Sequence, residues 1–470
     1  MGWTLGEILA ATGGKVTGSG KIARYGEIVT DSKQVKGNSI FVALKGERHD
    51  AHDFVGDAVR RGAACVIVHR SLSTAKVGPA TIVRVGDTLR ALGDLAHYRR
   101  ERLAPMVLAI TGSNGKTTTK EMVAAIMAQG KLAGQSLRGR VLKTEGNFNN
   151  LVGLPLTLLR LTKRHRVAVV ELGTNSPGEI QRLAEIADPD LGVITTVAAA
   201  HLAGLKNLPG VAREKGALYR AVRRNGMIAV NLDDPWVRRL GAKFTGKKLT
   251  YGAAGQLRAH GLRVRAAGRG MAFALRYGGQ QARINLNYLG RHNVTNALGA
   301  AALTLGAGVS LAAVRRGLAQ AKPFTMRMQR ESWRDIGIIN DSYNANPGSM
   351  QAALETLALI GGRGKKIAVL GDMFELGKHS AKEHRQLGRV AAQARIDRLY
   401  LLGDQAGTVR RGALGAGMKA HQVTVGADHG DLATRLRQQV KRGDWLLIKG
   451  SRGMKMEKVL QALKSVTVQE

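Results

Sequence analysis

The residues best suited to chemistry follow a short apolar run. Val107-Leu-Ala-Ile-Thr111 leads into Gly112-Ser113-Asn114-Gly115-Lys116-Thr117-Thr118, where a helical pattern begins. A turn of this kind aims backbone N–H groups at an anion, and glycine lets a phosphate approach the chain closely. Lys116 would then meet the outer phosphates, and the Thr117 hydroxyl would be placed for magnesium. The spacing departs from the general G-x-x-x-x-G-K-[ST] pattern, whose first glycine would fall at Ile110. Gly-Lys-Thr alone fits a plain helix-capping turn equally well; its place between a buried strand and a helix is what favours nucleotide binding. Two further polar groups close apolar runs: Glu171 ends Val167-Ala-Val-Val, and His201 follows Thr195-Thr-Val-Ala-Ala-Ala. Phosphoryl transfer needs a divalent cation to gather charge on the moving group, and a sheet presents a carboxylate at a strand's carboxyl end. A capping glutamate and a structural histidine are the plainer alternatives.

The elements that must position these groups alternate short β-rich runs, Gly-marked turns and helical patterns, which implies an α/β fold with parallel sheets. Buried strands are predicted at Val107–Thr111, Val167–Glu171, Gly192–Val197, Met227–Asn231, Lys366–Gly371, Arg398–Gly403 and Trp445–Lys449. Helices are expected over Leu89–Arg102 and Ala312–Gln320. Breaks near Val85 and Pro323 divide the 470 residues into three domains, 1–85, 86–322 and 323–470.

Composition narrows the class. The chain is 44% apolar and 23% charged, as in soluble globular proteins, and no apolar run is long enough to span a bilayer. The first residues lack a signal-peptide pattern, and the single cysteine, Cys65, lies in an apolar run and reads as a buried strand residue. A reduced, cytoplasmic setting is expected. The net charge of +38 would attract polyanions, but the basic residues are spread along the chain and aromatics are only 4%. No nucleic-acid partner is therefore expected, while weak proximity to anionic membranes is compatible with the charge; a nucleic-acid-dependent ATPase is the rival reading from a different class.

Several blocks together resemble the Mur ligase superfamily. Thr111-Gly-Ser-Asn-Gly-Lys-Thr-Thr118 is similar to its phosphate loop, which is shifted from the general pattern in this way. Thr144-Glu-Gly-Asn-Phe-Asn-Asn150, Glu171-Leu-Gly-Thr-Asn-Ser-Pro-Gly-Glu179, His201-Leu, Gly290-Arg-His-Asn293-Val-Thr-Asn296 and Lys449-Gly-Ser-Arg452-Gly-Met resemble further superfamily blocks in the right order. Asp341-Ser-Tyr-Asn-Ala-Asn-Pro347-Gly-Ser-Met350 and Leu370-Gly-Asp-Met-Phe-Glu375-Leu-Gly are similar to the member that adds the final dipeptide. The segment from Thr30-Asp-Ser32 to Phe54 resembles a uridine-binding domain, and the Asp-Asn-Pro-Arg motif of the diaminopimelate-adding sibling is absent.

The resemblance implies a three-domain architecture, with a central P-loop-type parallel-sheet domain and a C-terminal Rossmann-like domain. It implies an ATP-dependent amide ligase joining D-alanyl-D-alanine to UDP-N-acetylmuramoyl-tripeptide through an acyl-phosphate; a sibling Mur-type or folylpolyglutamate-type ligase is the near alternative. Residues Gly112 to Thr118 would hold the ATP phosphates, with Asn293 at adenine and Arg327 and Asp341 reaching the nucleotide from the third domain. Arg327 stands in Thr325-Met-Arg-Met, where the family has Pro-Gly-Arg. Two magnesium ions are implied, on Thr117, Glu171, His201 and Lys215, the last as a carbon-dioxide-derived carbamate; without the family, Lys215 would read as a surface ion-pair lysine. Ser32 is expected at the uridine end, Asn147, Asn149 and Asn150 at the muramoyl-peptide side, and Asn344, Asn346 and Arg452 at D-alanyl-D-alanine. Asx-turn or capping roles are the alternative for each asparagine. A monomer that stands open before its substrates bind is expected.

Overall fold

A computed structural model describes residues 2–18, 20, 22–71, 77–265 and 269–465. Among them, no helix is long and apolar enough to cross a membrane. The central sheet has six strands, all parallel, in the spatial order Lys247–Tyr251, Met227–Asn231, Leu191–Ile194, Met106–Thr111, Val167–Glu171, Val141–Lys143. Strands of such a sheet are apolar on both faces because helices cover both. Leu108, Ile110, Val167, Val169 and Val193 pack on one side, and Val107, Ala109, Ala168, Val170 and Ile228 on the other. Chain order reverses around Met106–Thr111, so a crevice opens beyond its carboxyl end, where α/β sheets bind ligands.

An N-terminal five-stranded sheet precedes it, with Cys65 fully buried in the strand Ala63–Val68. An antiparallel three-stranded sheet, Arg258–Val264, Met271–Tyr277 and Gln280–Leu286, follows the central strands. The C-terminal sheet runs Gln329–Trp333, Ile336–Asp341, Trp445–Lys449, Lys366–Gly371, Arg398–Leu402, Val423–Val425, parallel except for its first pair. The helix expected from Leu89 spans Thr88–Leu103, because the Asp87 carboxylate accepts the N–H groups of Leu89 (2.7 Å) and Arg90 (3.0 Å).

One strand is shorter than expected for a reason that bears on function. Leu191–Ile194 stops before Val197, since the next residues leave the ladder to grip the phosphate loop. Thr196 O accepts the Ser113 N–H (2.8 Å), and the Thr195 hydroxyl donates to Asn114 O (2.5 Å). Arg398–Leu402 likewise ends before Gly403, whose φ of +118° lets it sit against the Asp372 carboxyl.

Candidate active site between the central and C-terminal domains

The phosphate loop joins the central strand to the helix Lys116–Ala128. Its glycines are required by shape. A Cβ on Gly112 (φ +151°) would lie 1.9 Å from the Thr195 hydroxyl, and one on Gly115 (φ +81°) 2.2 Å from Asn296 Oδ1. The first N–H groups of a helix have no intrahelical partner, so Lys116, Thr117 and Thr118 present theirs to whatever occupies the loop. Lys116 Nζ donates to Gly112 O (2.8 Å), and desolvation holds its pKa below the usual lysine value despite the Glu171 carboxylate nearby. The Ser113 hydroxyl and Ala198 exchange two hydrogen bonds of 2.9 Å, which closes the loop onto the neighbouring strand's exit.

This loop forms the floor of a cleft of about 620 Å³ whose opposite wall is the C-terminal domain. Ser113 to Thr118, His201, Asn293, Arg327, Asp341, Asn344, Asn346 and Arg452 all line it. Asn346 caps the helix Pro347–Ala358 through its Oδ1 and donates its amide to Asn114 Oδ1 (2.7 Å), so capping and cross-domain contact coincide in one side chain. His201, in left-handed backbone at φ +55°, pairs Nδ1 with Glu375 Oε2 at 2.7 Å across the same gap. The domains therefore touch across the cleft.

Other candidates are distributed differently. Asp341 accepts the Met328 N–H (3.0 Å) and pairs with buried Lys449 (2.5 Å), which also donates to Asn344 O. Arg327 stacks its guanidinium 4.1 Å from the Tyr343 ring, with its Nε buried and unpartnered. Asn293 uses its amide locally, donating to Leu289 O (2.7 Å) and accepting from Asn296 (3.0 Å). Arg452 reaches Glu457 at 2.9 Å. Ser32, half-buried in the N-terminal domain, does not line the cleft; neither do Asn147, Asn149 and Asn150. Asn150 makes a cap, accepting the N–H groups of Val152 (3.2 Å) and Gly153 (2.8 Å). Asn149 instead donates to Glu171 Oε1 at 2.8 Å.

Glu171 and Lys215 do not line the cleft wall, yet both act on the charge of Lys116 or feel it. Among the described residues no three His, Cys, Asp or Glu side chains gather as a ready cation cage. The individual donors nevertheless fit a cation completed by phosphate oxygens. Glu171 is 1% exposed, and its Oε2 is buried without any hydrogen-bond partner. Lys215 is not on the surface: it is 0% exposed, and burial, reinforced by Lys116, drives its pKa well below the usual lysine value. A lowered pKa raises the share of neutral amine, the nucleophile that carbon dioxide requires. Its neighbour Glu214 is committed elsewhere, accepting the N–H groups of Gly178 and Ile180 at 2.7 Å each.

Glu375, Lys449, His292 and Tyr343 are among the cleft residues that sequence did not single out. All four lie inside the quoted blocks, and for Glu375 and Lys449 a place after or at a strand end was a further signal. Burial pushes His292 down to about 4, which leaves a neutral imidazole in the cleft. Tyr343 stacks on Arg327. For these last two, their place in the quoted blocks was the available signal.

A phosphate loop at the switch point of a parallel sheet, closed over by a second α/β domain carrying its own polar strand ends, defines a nucleotide-dependent α/β enzyme. The comparisons narrow the class. Family models for the Mur ligase family catalytic domain, the Mur ligase middle domain and the Mur ligase glutamate ligase domain match residues 24–100, 110–304 and 326–452. UDP-N-acetylmuramoyl-tripeptide--D-alanyl-D-alanine ligase of Escherichia coli is 37% identical over 93% of both chains. A crystal structure of MurF from Acinetobacter baumannii superposes with a TM-score of 0.89 at 33% identity, covering 98% of this chain and 99% of that one. MurF ligase from Thermotoga maritima, solved in complex with ADP, gives 0.82 at 28% identity over 93% and 96%. The chain belongs to the Mur ligase family.

Proposed function

We propose that the chain adds D-alanyl-D-alanine to UDP-N-acetylmuramoyl-tripeptide, converting ATP to ADP and phosphate and yielding UDP-N-acetylmuramoyl-pentapeptide for peptidoglycan synthesis. The observation that carries this reading is the cleft: the phosphate loop faces, across one gap, Arg452 and the Asp341–Asn346 segment, the latter resembling the dipeptide-adding member. The similarity to a UDP-N-acetylmuramoyl-tripeptide--D-alanyl-D-alanine ligase over 93% of both chains supports the same substrates.

The tripeptide carboxylate attacks the γ-phosphorus and ADP leaves, which forms an acyl-phosphate. Lys116 and the N–H groups opening its helix stabilise the charge that develops on the phosphoryl oxygens. The dipeptide amine then attacks the acyl carbon, and phosphate departs with the C–O bond electrons. Thr117, Glu171, His201 and carbamylated Lys215 would hold two magnesium ions. When bound, these neutralise phosphate charge and polarise the bond that breaks. Asn149 orients the Glu171 carboxylate, and Glu375 orients the His201 ring. Arg327, Asp341 and Asn293 border the nucleotide; Ser32 serves the uridine end, Asn147 and Asn150 the muramoyl-peptide, and Asn344, Asn346 and Arg452 the dipeptide. Domains 1–85, 86–322 and 323–470 divide these duties in a cytoplasmic monomer, and contact across the cleft keeps water from the acyl-phosphate.

The test is phosphate release from ATP and magnesium with UDP-N-acetylmuramoyl-tripeptide, with and without D-alanyl-D-alanine. Release requiring both, with a pentapeptide product by mass, is expected. Release with a different amine would move the chain to a sibling activity, and silence with every amine would overturn the ligase reading.

A further inference from the structure

The basic residues are spread along the chain, but the acidic ones are not. From Pro235 to Arg330 there are seventeen Lys or Arg and not one Asp or Glu. Among the described residues, none of these cations takes part in an ion pair. The stretch contains the three-stranded antiparallel sheet, which is amphipathic in an unusual sense. One face buries Met271, Phe273, Leu275, Ile284 and Leu286 in the core. The other exposes Arg258, Arg263, Arg276 and Arg283 together with His260. Arg258 lies directly opposite Arg276 in the ladder, and Arg263 opposite Ala272. Like charges facing each other across a pair destabilise a sheet, so this arrangement is a cost the fold itself does not recover.

Between His260 and Arg263 the register shifts, and the bulge brings out Gly261 (φ +60°) and Leu262. Leu262 is 36% exposed, an apolar side chain at the bulge beside Arg263. No Phe, Trp or Tyr is exposed on this face, so it offers no stacking platform for unpaired bases. A cationic sheet face with one apolar tip matches a surface that is anionic at its plane and apolar just beneath.

We propose that the outer face of this sheet docks the protein on anionic lipid bilayers, with the four arginines meeting headgroup phosphates and Leu262 entering the interface. Each basic residue near such a surface contributes about five-fold to partitioning, and the attraction falls off within a Debye length of about 10 Å at 0.1 M salt.

The experiment is co-sedimentation of the full chain with vesicles of phosphatidylcholine, with or without phosphatidylglycerol as about a third of the lipid, in about 0.1 M salt. Binding only to the anionic vesicles is expected. Changing Arg258, Arg263, Arg276 and Arg283 together to Gln lowers partitioning more than a hundred-fold and leaves ligation in solution unchanged. Changing Lys378, Lys382, Arg385 and Arg389, which are exposed on the C-terminal domain, to Gln removes the same net charge and leaves most of the binding. Leu262→Ser weakens binding by a few-fold without altering its salt dependence. No sedimentation with anionic vesicles, or an equal loss in the two quadruple variants, overturns the proposal. So does duplex DNA binding through this face when vesicles are not bound.

Discussion

Replacing Lys215 by Met tests whether the fold holds an uncharged amine beside the phosphate loop. Met has nearly the same length and no proton to lose, and the site is 0% exposed, so packing changes little. In the folded chain burial and the neighbouring Lys116 hold the Lys215 amine well below its ordinary value of 10.5, which it regains in the unfolded chain. Unfolding therefore takes up a proton at this position. Stability contributed by Lys215 must rise with pH, by about 1.4 kcal/mol per unit, from its depressed folded pKa up to the unfolded one. Lys116 is shifted in the same direction but is present in both proteins, so the difference between them isolates a single proton. Urea unfolding in carbonate-free buffer at pH of about 7.5 and 9.5 should show the wild type gaining stability relative to Lys215→Met over that interval, by up to about 1.4 kcal/mol per unit. At the lower pH the variant should be the more stable of the two, although it cannot ligate. Parallel pH dependence in the two proteins would mean that Lys215 is charged in the fold, and its availability to carbon dioxide would fall with that result.

Gly115→Ala places a Cβ against Asn296 Oδ1 at 2.2 Å and in left-handed backbone, so it should raise the KM for ATP at least ten-fold while circular dichroism is unchanged. Glu375→Gln removes the carboxylate that orients His201 across the cleft. It should raise the magnesium concentration for half-maximal activity about ten-fold and enlarge the radius of gyration measured by X-ray scattering. Met326 holds φ at +58°; Met326→Gly should stabilise the chain by about 0.5–1 kcal/mol in thermal unfolding, since left-handed backbone costs a side chain about 1–2 kcal/mol.

The parts legible in sequence are those where one residue type solves a local problem. Val167–Glu171, Met227–Asn231, Lys366–Gly371 and Trp445–Lys449 were located to the residue, because short runs apolar on both faces admit little but a buried parallel strand. Thr195 and Thr196 were misread as strand because β-branched residues suit one, and only the tertiary structure shows their oxygens turned to the phosphate loop. The antiparallel sheet was missed: its middle strand, Met271–Tyr277, carries Ala272 and Ala274 at outward positions and so shows no polar alternation there, and a bulge breaks the period of Arg258–Val264. Asn150 and Asn149 stand one residue apart with alike side chains, yet one caps a helix and the other holds Glu171. That division depends on where two strands end in space, which neighbouring sequence does not encode.

Several buried groups around the phosphate loop lack partners, and together they explain why the loop's two walls belong to different domains. Glu171 Oε2 and Arg327 Nε are buried without hydrogen bonds, and Lys116 and Lys215 are held below their usual pKa by burial. Each unmet group costs about 1–3 kcal/mol, so the site works against the stability of the fold. The first of these lies on the central domain and the second on the C-terminal one, while the direct polar bridges between the two include Asn114–Asn346 and His201–Glu375. A polyphosphate with its cations would satisfy groups on both domains at once, so its binding should favour contact between them more than a few side-chain bridges can. The cleft is thereby biased to close on a complete substrate set, the condition under which an acyl-phosphate is safe from water.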